Sequence, residues 1–225
     1  MSILYRYGSR WYINMTNRCP CGCTFCVRND TRRLGDADNL WLDREPTAEE
    51  MEEEILLRAV DAEEIVFCGY GEPTERLDTL LEVAGWIREN TGARVRLDTN
   101  GLGNLINGRD IVPDLAHVLD SVSVSLNAPD SDEYMELCRP EFGERAFPAL
   151  IGFIEEIGNA IPDVTVSVVG GTIPRSSEDR CRAMADAWGV RFRVRRHAFG
   201  AFLFIVVRAL EAFNYRETIA RADIV

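Results

Sequence analysis

The 225-residue sequence predicts an α/β fold, a partial (β/α)6 TIM-like barrel with its chemistry gathered at one mouth. Two observations lead there. Six short segments rich in β-formers alternate with segments of helical periodicity, which implies a parallel sheet with right-handed crossovers. Each β segment also ends in Gly, Asn, Asp or Pro, and in parallel α/β sheets ligands bind beyond those carboxyl ends. The length suits one domain with a substantial core, and no internal repeat interrupts the alternation.

The elements follow in order. Residues 10–15 form the first strand and run into a cysteine-rich loop. A helix starts after Thr47, whose pairing with Glu50 three positions on is a capping box. Residues 64–68 form the second strand and end in Gly69-Tyr70-Gly71-Glu72-Pro73. Leu77, Leu80, Leu81, Ala84 and Ile87 then mark one face of a helix. The third strand, 94–97, ends in Asp98-Thr99-Asn100-Gly101, and the fourth, 121–126, in Asn127-Ala128-Pro129. Helices follow over 131–137 and 146–157. The fifth strand, 164–169, ends in Gly170-Gly171. Cys181, Met184, Ala185 and Trp188 repeat at helical spacing, with Gly189 as a stop, before the sixth strand at 191–195.

Composition removes several function classes. All 25 cations are arginine, and there is neither lysine nor glutamine. No lysine Schiff base can form, and no complete P-loop is possible. The formal net charge of −12 disfavours a sequence-independent grip on nucleic acid, which needs clustered cations. No apolar run reaches the roughly 18 residues of a membrane span, and the first ten residues lack the apolar stretch of a signal peptide. A cytoplasmic protein with reduced thiols is therefore expected.

Four of the seven cysteines fall between Cys19 and Cys26. In a reducing compartment that density indicates metal chemistry rather than disulfides. Cys19, Cys23 and Cys26 have the spacing C-x3-C-x2-C. Three thiolates on one short loop can hold three irons of a [4Fe–4S] cube, which leaves the fourth iron open to a small molecule. With Cys21 added, the four could instead form a structural zinc site. Such sites, however, usually join two knuckles far apart in sequence, whereas all four thiols here share one loop. Cys21 is then a bystander thiol that could exchange with a ligand.

The loop resembles the cluster-binding loop of the radical S-adenosylmethionine (SAM) superfamily, including the aromatic Phe25 before the last cysteine. The resemblance implies a [4Fe–4S] cluster on Cys19, Cys23 and Cys26 that cleaves SAM to a 5′-deoxyadenosyl radical. Tyr70-Gly71-Glu72 resembles the superfamily's Gly-Gly-Glu motif, which receives the methionyl ammonium of SAM; by itself it is equally an ordinary βα turn. Ser125 and Asn127 stand where the superfamily contacts the SAM ribose or carboxylate, and both are also good helix caps. Asn100 has a similar but weaker claim. Gly170 matches an adenine-contact position or a plain tight turn. Arg18, Arg28, Arg32 and Arg33 flank the loop, to hold an anion or an electron donor or merely to offset nearby acids. Cys68, Cys138 and Cys181 read as buried small hydrophobes. His117 and His197 receive no role.

Taken together, Thr16-Asn17-Arg18-Cys19, Phe67-Cys68-Gly69-Tyr70-Gly71-Glu72-Pro73-Thr74, Asp98-Thr99-Asn100-Gly101-Leu102 and Leu137-Cys138-Arg139-Pro140 look like the TatD-associated radical SAM proteins. That likeness implies a functional link to a TatD-type hydrolase and an electron donor such as flavodoxin or ferredoxin. It supplies no substrate, and no catalytic acid or base is assigned. It covers about residues 10–195, within an expected core domain of residues 1–196, and residues 197–225 form an extension outside the pattern. Two other functions compete: activation of a glycyl-radical-type partner protein, and a non-catalytic zinc or iron–sulfur module.

Overall fold

The computed structural model describes residues 1–29 and 34–195. Arg32, Arg33, His197 and the 197–225 extension lie outside the described residues. Seven strands form one sheet in sequence order: β1 (Leu4–Tyr7), β2 (Arg10–Ile13), β3 (Glu64–Phe67), β4 (Arg94–Thr99), β5 (Ser121–Ser125), β6 (Val164–Val169) and β7 (Arg191–Arg195). The pairs from β2 to β7 are parallel. The sheet does not close, since β1 and β7 are its two ends, and the architecture is the expected partial barrel.

The six anticipated strands are β2 to β7. β1 was not anticipated. It pairs antiparallel with β2 through a tight turn in which Gly8 has φ +63°, a conformation that favours glycine. The helices are α1 (Ala48–Arg58), α2 (Leu77–Asn90), α3 (Gly103–Asn107), α4 (Val112–Val118), α5 (Ser131–Cys138), α6 (Ala146–Ala160) and α7 (Arg175–Ala187). Thr47 and Glu50 form the capping box at the start of α1. The short α3 and α4 were not anticipated, and neither begins with a side-chain cap that a sequence could announce.

The strands explain the curvature. A flat parallel sheet covered on both faces needs strands that are apolar throughout. Here they alternate instead. Val95 and Leu97 of β4, Val122 and Val124 of β5, and Val166 and Val168 of β6 are buried in the core shared with the helices. The alternate positions carry Arg94, Arg96 and Asp98 in β4, Ser121, Ser123 and Ser125 in β5, Thr165, Ser167 and Val169 in β6, and, in register with these, Arg191, Arg193 and Arg195 in β7. Helices thus cover one face, and a polar inner wall lines the other.

Candidate functional site

The cysteine loop leaves β2 at Asn14, whose buried side chain organises the exit. Asn14 Nδ2 donates to the carbonyls of Leu40 (2.7 Å) and Ser2 (3.2 Å), while Oδ1 accepts from the Tyr70 N–H (3.3 Å). Thr16 Oγ1 donates to Glu45, and Asn17 pairs with the backbone of Leu42 in both directions. Arg18 forms ion pairs with Glu45 (2.8 Å) and Glu75 (3.3 Å), and Arg76 donates to the Met15 carbonyl (2.9 Å). Of the two alternatives for Arg18, offsetting local acids is what the structure shows.

The turn after β3 docks onto this strap. The Glu72 N–H donates to the Arg18 carbonyl at 2.8 Å. A Cβ on Gly71 would stand 2.3 Å from the Thr16 carbonyl oxygen and 2.6 Å from that of Arg18, so only glycine permits the approach. Glu72 itself is buried. Its Oε1 accepts from Thr74 N–H (3.3 Å), Thr74 Oγ1 (2.8 Å) and Thr99 Oγ1 (2.7 Å), and its Oε2 accepts from Asn100 N–H (2.7 Å). Burial holds this carboxyl above its usual range, against the pull of those donors. The Tyr70 ring is also buried, but in a separate apolar cluster with Tyr5, Ala37 and Leu40, edge-on to Trp41 at 5.2 Å.

The far side of the loop is clamped by the chain that follows α5. Gly22 and Thr24 N–H groups donate to the carbonyls of Arg139 and Leu137, and Glu141 N–H donates to that of Pro20. Arg28 reaches back to the Cys21 carbonyl at 2.9 Å. Cys19, Cys23 and Cys26 are half-buried on this loop, and Phe25 packs against the main core. Asn100 Nδ2 lies 3.9 Å from the sulfurs of both Cys19 and Cys21.

Two further cysteines meet the loop thiols. Cys21 is buried beside Cys19 and Cys23, and Cys138, which is remote in sequence, is buried against Cys23. Hydrogen bonding from Cys138 and Cys21 brings the Cys23 thiol down to about 4, and bonding from Cys21 lowers Cys19. The donors Cys21 and Cys138 are pushed up by the same bonds, and burial raises Cys26. As the side chains stand, no three His, Cys, Asp or Glu groups among the described residues converge around one point. The donor chemistry fits an iron–sulfur cluster nonetheless: three thiols share one loop, two of them favouring the thiolate that iron requires.

The remaining sequence candidates meet at the ends of β5, β6 and β7. Asn127 has φ +61°, uncommon for a non-glycine residue, and is buried. Its Nδ2 donates to Cys138 Sγ at 3.5 Å. Arg195 Nη2 donates to Ser125 Oγ (3.2 Å) and Asn127 Oδ1 (3.3 Å), so one guanidinium joins both candidates. The Gly170 N–H donates to the Arg195 carbonyl at 2.8 Å, extending the β6–β7 pairing. Sequence reasoning missed Asn14, Cys138 and Arg195. The period-two pattern of β7 marks Arg195 as inward-facing, but nothing local signals the other two.

A family model described as "Radical SAM superfamily" matches residues 13–192. No curated protein matches. Among solved structures, SuiB of Streptococcus suis bound to the precursor peptide SuiA superposes with a TM-score of 0.62 at 17% identity, over 85% of this chain and 40% of that one. SuiB bound to S-adenosylmethionine gives 0.58 at 16%, over 94% and 44%. A radical SAM methyltransferase from Sphaerobacter thermophilus gives 0.58 at 19%, over 86% and 68%. The chain thus spans about two fifths of the length of SuiB. No helix among the described residues is long and apolar enough to cross a membrane.

Proposed function

The chain belongs to the radical SAM superfamily, whose members use a [4Fe–4S] cluster and SAM, and we propose that it is a SAM-cleaving enzyme with the cluster on Cys19, Cys23 and Cys26. One observation carries the reading. The loop bearing those cysteines is strapped, through the Arg18 carbonyl, directly onto the Gly71-Glu72 turn, so cluster ligands and SAM-binding turn form one unit. When bound, the cluster supplies the electron that splits SAM into methionine and a 5′-deoxyadenosyl radical, which abstracts hydrogen from the substrate.

The chain's own residues bind and orient. A carboxylate offers about four lone-pair sites, and Glu72 already accepts four hydrogen bonds. Backbone carbonyls of the turn at Tyr70 and Gly71 would then receive the methionyl ammonium, and Glu72 holds that turn against β4. Asn100, Ser125, Asn127 and Gly170 offer polar groups to the carboxylate, ribose and adenine of SAM. Phe25, next to Cys26, packs against the main core and anchors that end of the loop. Within the superfamily, the sequence likeness supports the TatD-associated proteins, with a TatD-type hydrolase as functional associate, flavodoxin or ferredoxin as electron donor, and the cytoplasm as compartment. The radical SAM core is assigned to residues 1–196.

The test is anaerobic reconstitution with iron and sulfide, followed by electron paramagnetic resonance of the reduced protein with and without SAM. A [4Fe–4S] signal that shifts with SAM, and 5′-deoxyadenosine production lost in Cys23→Ala, are expected. Stoichiometric zinc, or a cluster indifferent to SAM, would overturn the reading in favour of a binding module.

A further inference from the structure

Building on the enzyme reading, we propose that the inner wall of the partial barrel binds an oxyanion of the substrate, a carboxylate or a phosphate, between the guanidiniums of Arg193 and Arg195. Both side chains lean across β6 to reach β5. Arg193 Nη2 donates to Ser123 Oγ at 3.3 Å, and Arg195 Nη2 donates to Ser125 Oγ at 3.2 Å. Those contacts place both cations on the polar inner face.

Charge pairing on that face is unequal. Arg10 and Arg96 are paired with Glu64, and Arg96 also with Asp98. Arg94 and Arg191 share Asp163. These pairs engage all three inner-wall carboxylates. No acid among the described residues reaches ion-pair distance of Arg193 or Arg195. Arg195 Nε is, moreover, a buried atom with no hydrogen-bond partner among the described residues. Asp98, whose charge acts on both arginines, is already paired with Arg96, so three guanidiniums share one carboxylate. A half-buried cation that is only partly offset and keeps an unused donor is costly and is normally retained where an anion completes it.

The surroundings suit an oxyanion. Arg193 and Ser123 close the inner end of a cavity of about 490 Å³ at the starts of the strands, whose wall carries five arginines against two acids in a protein of net charge −12; Arg195 and Ser125 stand two residues further along their strands, outside its lining. The volume lies within the range of small-molecule pockets. The Ser123 hydroxyl accepts from Arg193 and keeps an O–H to donate, so the guanidinium forks and this hydroxyl together match the acceptor oxygens of a carboxylate or phosphate, while Ser125 is kept for SAM. Arg195 also stands toward the cysteine loop, linked through Asn127 to Cys138.

The experiment is titration calorimetry on the reconstituted full chain, with inorganic phosphate and with succinate as separate probes, at ionic strength held constant with chloride and without SAM. Saturable binding of at least one probe is expected, weakened at least tenfold in both Arg193→Gln and Arg195→Gln. Phosphate alone points to a phosphorylated substrate and succinate alone to a carboxylic acid. Absence of binding beyond the chloride background, or unchanged binding in folded Arg193→Gln, overturns the proposal. Circular dichroism establishes that each variant folds; Arg193, on the exposed part of the wall, decides the matter if Arg195→Gln does not fold. Because no SAM is present, failure here leaves SAM cleavage standing, and failure to cleave SAM leaves this result readable.

Discussion

Glu72 Oε2 accepts the backbone N–H of Asn100 at 2.7 Å, which binds the turn after β3 to the end of β4. Together with Thr99 and Thr74 it makes a buried carboxylate the junction of two strand ends. Glu72→Gln replaces one acceptor oxygen with an amine, so at least one buried donor loses its partner. An unsatisfied buried donor costs about 1–3 kcal/mol. Urea unfolding followed by circular dichroism should show a loss of that size. An unchanged midpoint would mean that the four contacts contribute nothing net.

Glycine contacts separate two loop positions sharply. Gly71→Ala drives a methyl into two backbone carbonyls, neither of which can rotate away, whereas Gly22→Ala meets nothing nearer than 3.8 Å. Overpacking of this kind costs about 1–3 kcal/mol and displaces backbone. The alanine variant at Gly71 should therefore lose most bound iron and most 5′-deoxyadenosine formation, while that at Gly22 keeps both. Iron content per chain, measured after identical reconstitution, decides the comparison. Equal iron in the two variants would separate the Gly71 turn from the cysteine loop.

The contrast also shows what a sequence displays and what it hides. The parallel strands were legible because alternation along β4, β5 and β7 is local, and the cysteine loop because its ligands are neighbours. β1 was not, because four residues of Leu-Tyr-Arg-Tyr show no face until β2 folds back beside them. The partners of Glu72, the clamp at Arg139 and the contact of Cys138 with Cys23 join segments far apart in sequence. Nothing in either segment alone announces them. Cys138, read as an isolated small hydrophobe, is buried as expected yet belongs to the cysteine cluster.

The C-x3-C-x2-C spacing singles out Cys19, Cys23 and Cys26 as the expected iron ligands. Cys21 and Cys138 lie beside them but outside that spacing, so they are not the expected ligands. Cys21→Ala and Cys138→Ala should keep a reconstituted [4Fe–4S] absorbance near that of the parent chain. Cys19→Ala, Cys23→Ala and Cys26→Ala should each lose it. A cluster lost in Cys21→Ala and kept in one of the latter three would exchange the ligand assignments.

Beside the strap of the cysteine loop, which Glu45 holds through Thr16 and Arg18, the start of α1 carries an acid-sensitive cap. Glu50 accepts from the Thr47 N–H at 2.9 Å, receives the Arg44 guanidinium and lies in the first helical turn. Pairing with Arg44, and then the Thr47 N–H, lowers its carboxyl from 4.5 to about 2. The folded chain therefore binds fewer protons here than the unfolded one between those values. The resulting stability is fully present above about pH 4.5 and is lost as pH falls toward 2. Glu50→Gln removes this titration, so the difference in stability between parent and variant should shrink steadily across that interval. Thermal midpoints taken at half-unit pH steps measure it. A difference that stays constant down to pH 2 would show that the carboxylate does not gain its hold from Arg44 and Thr47 in solution.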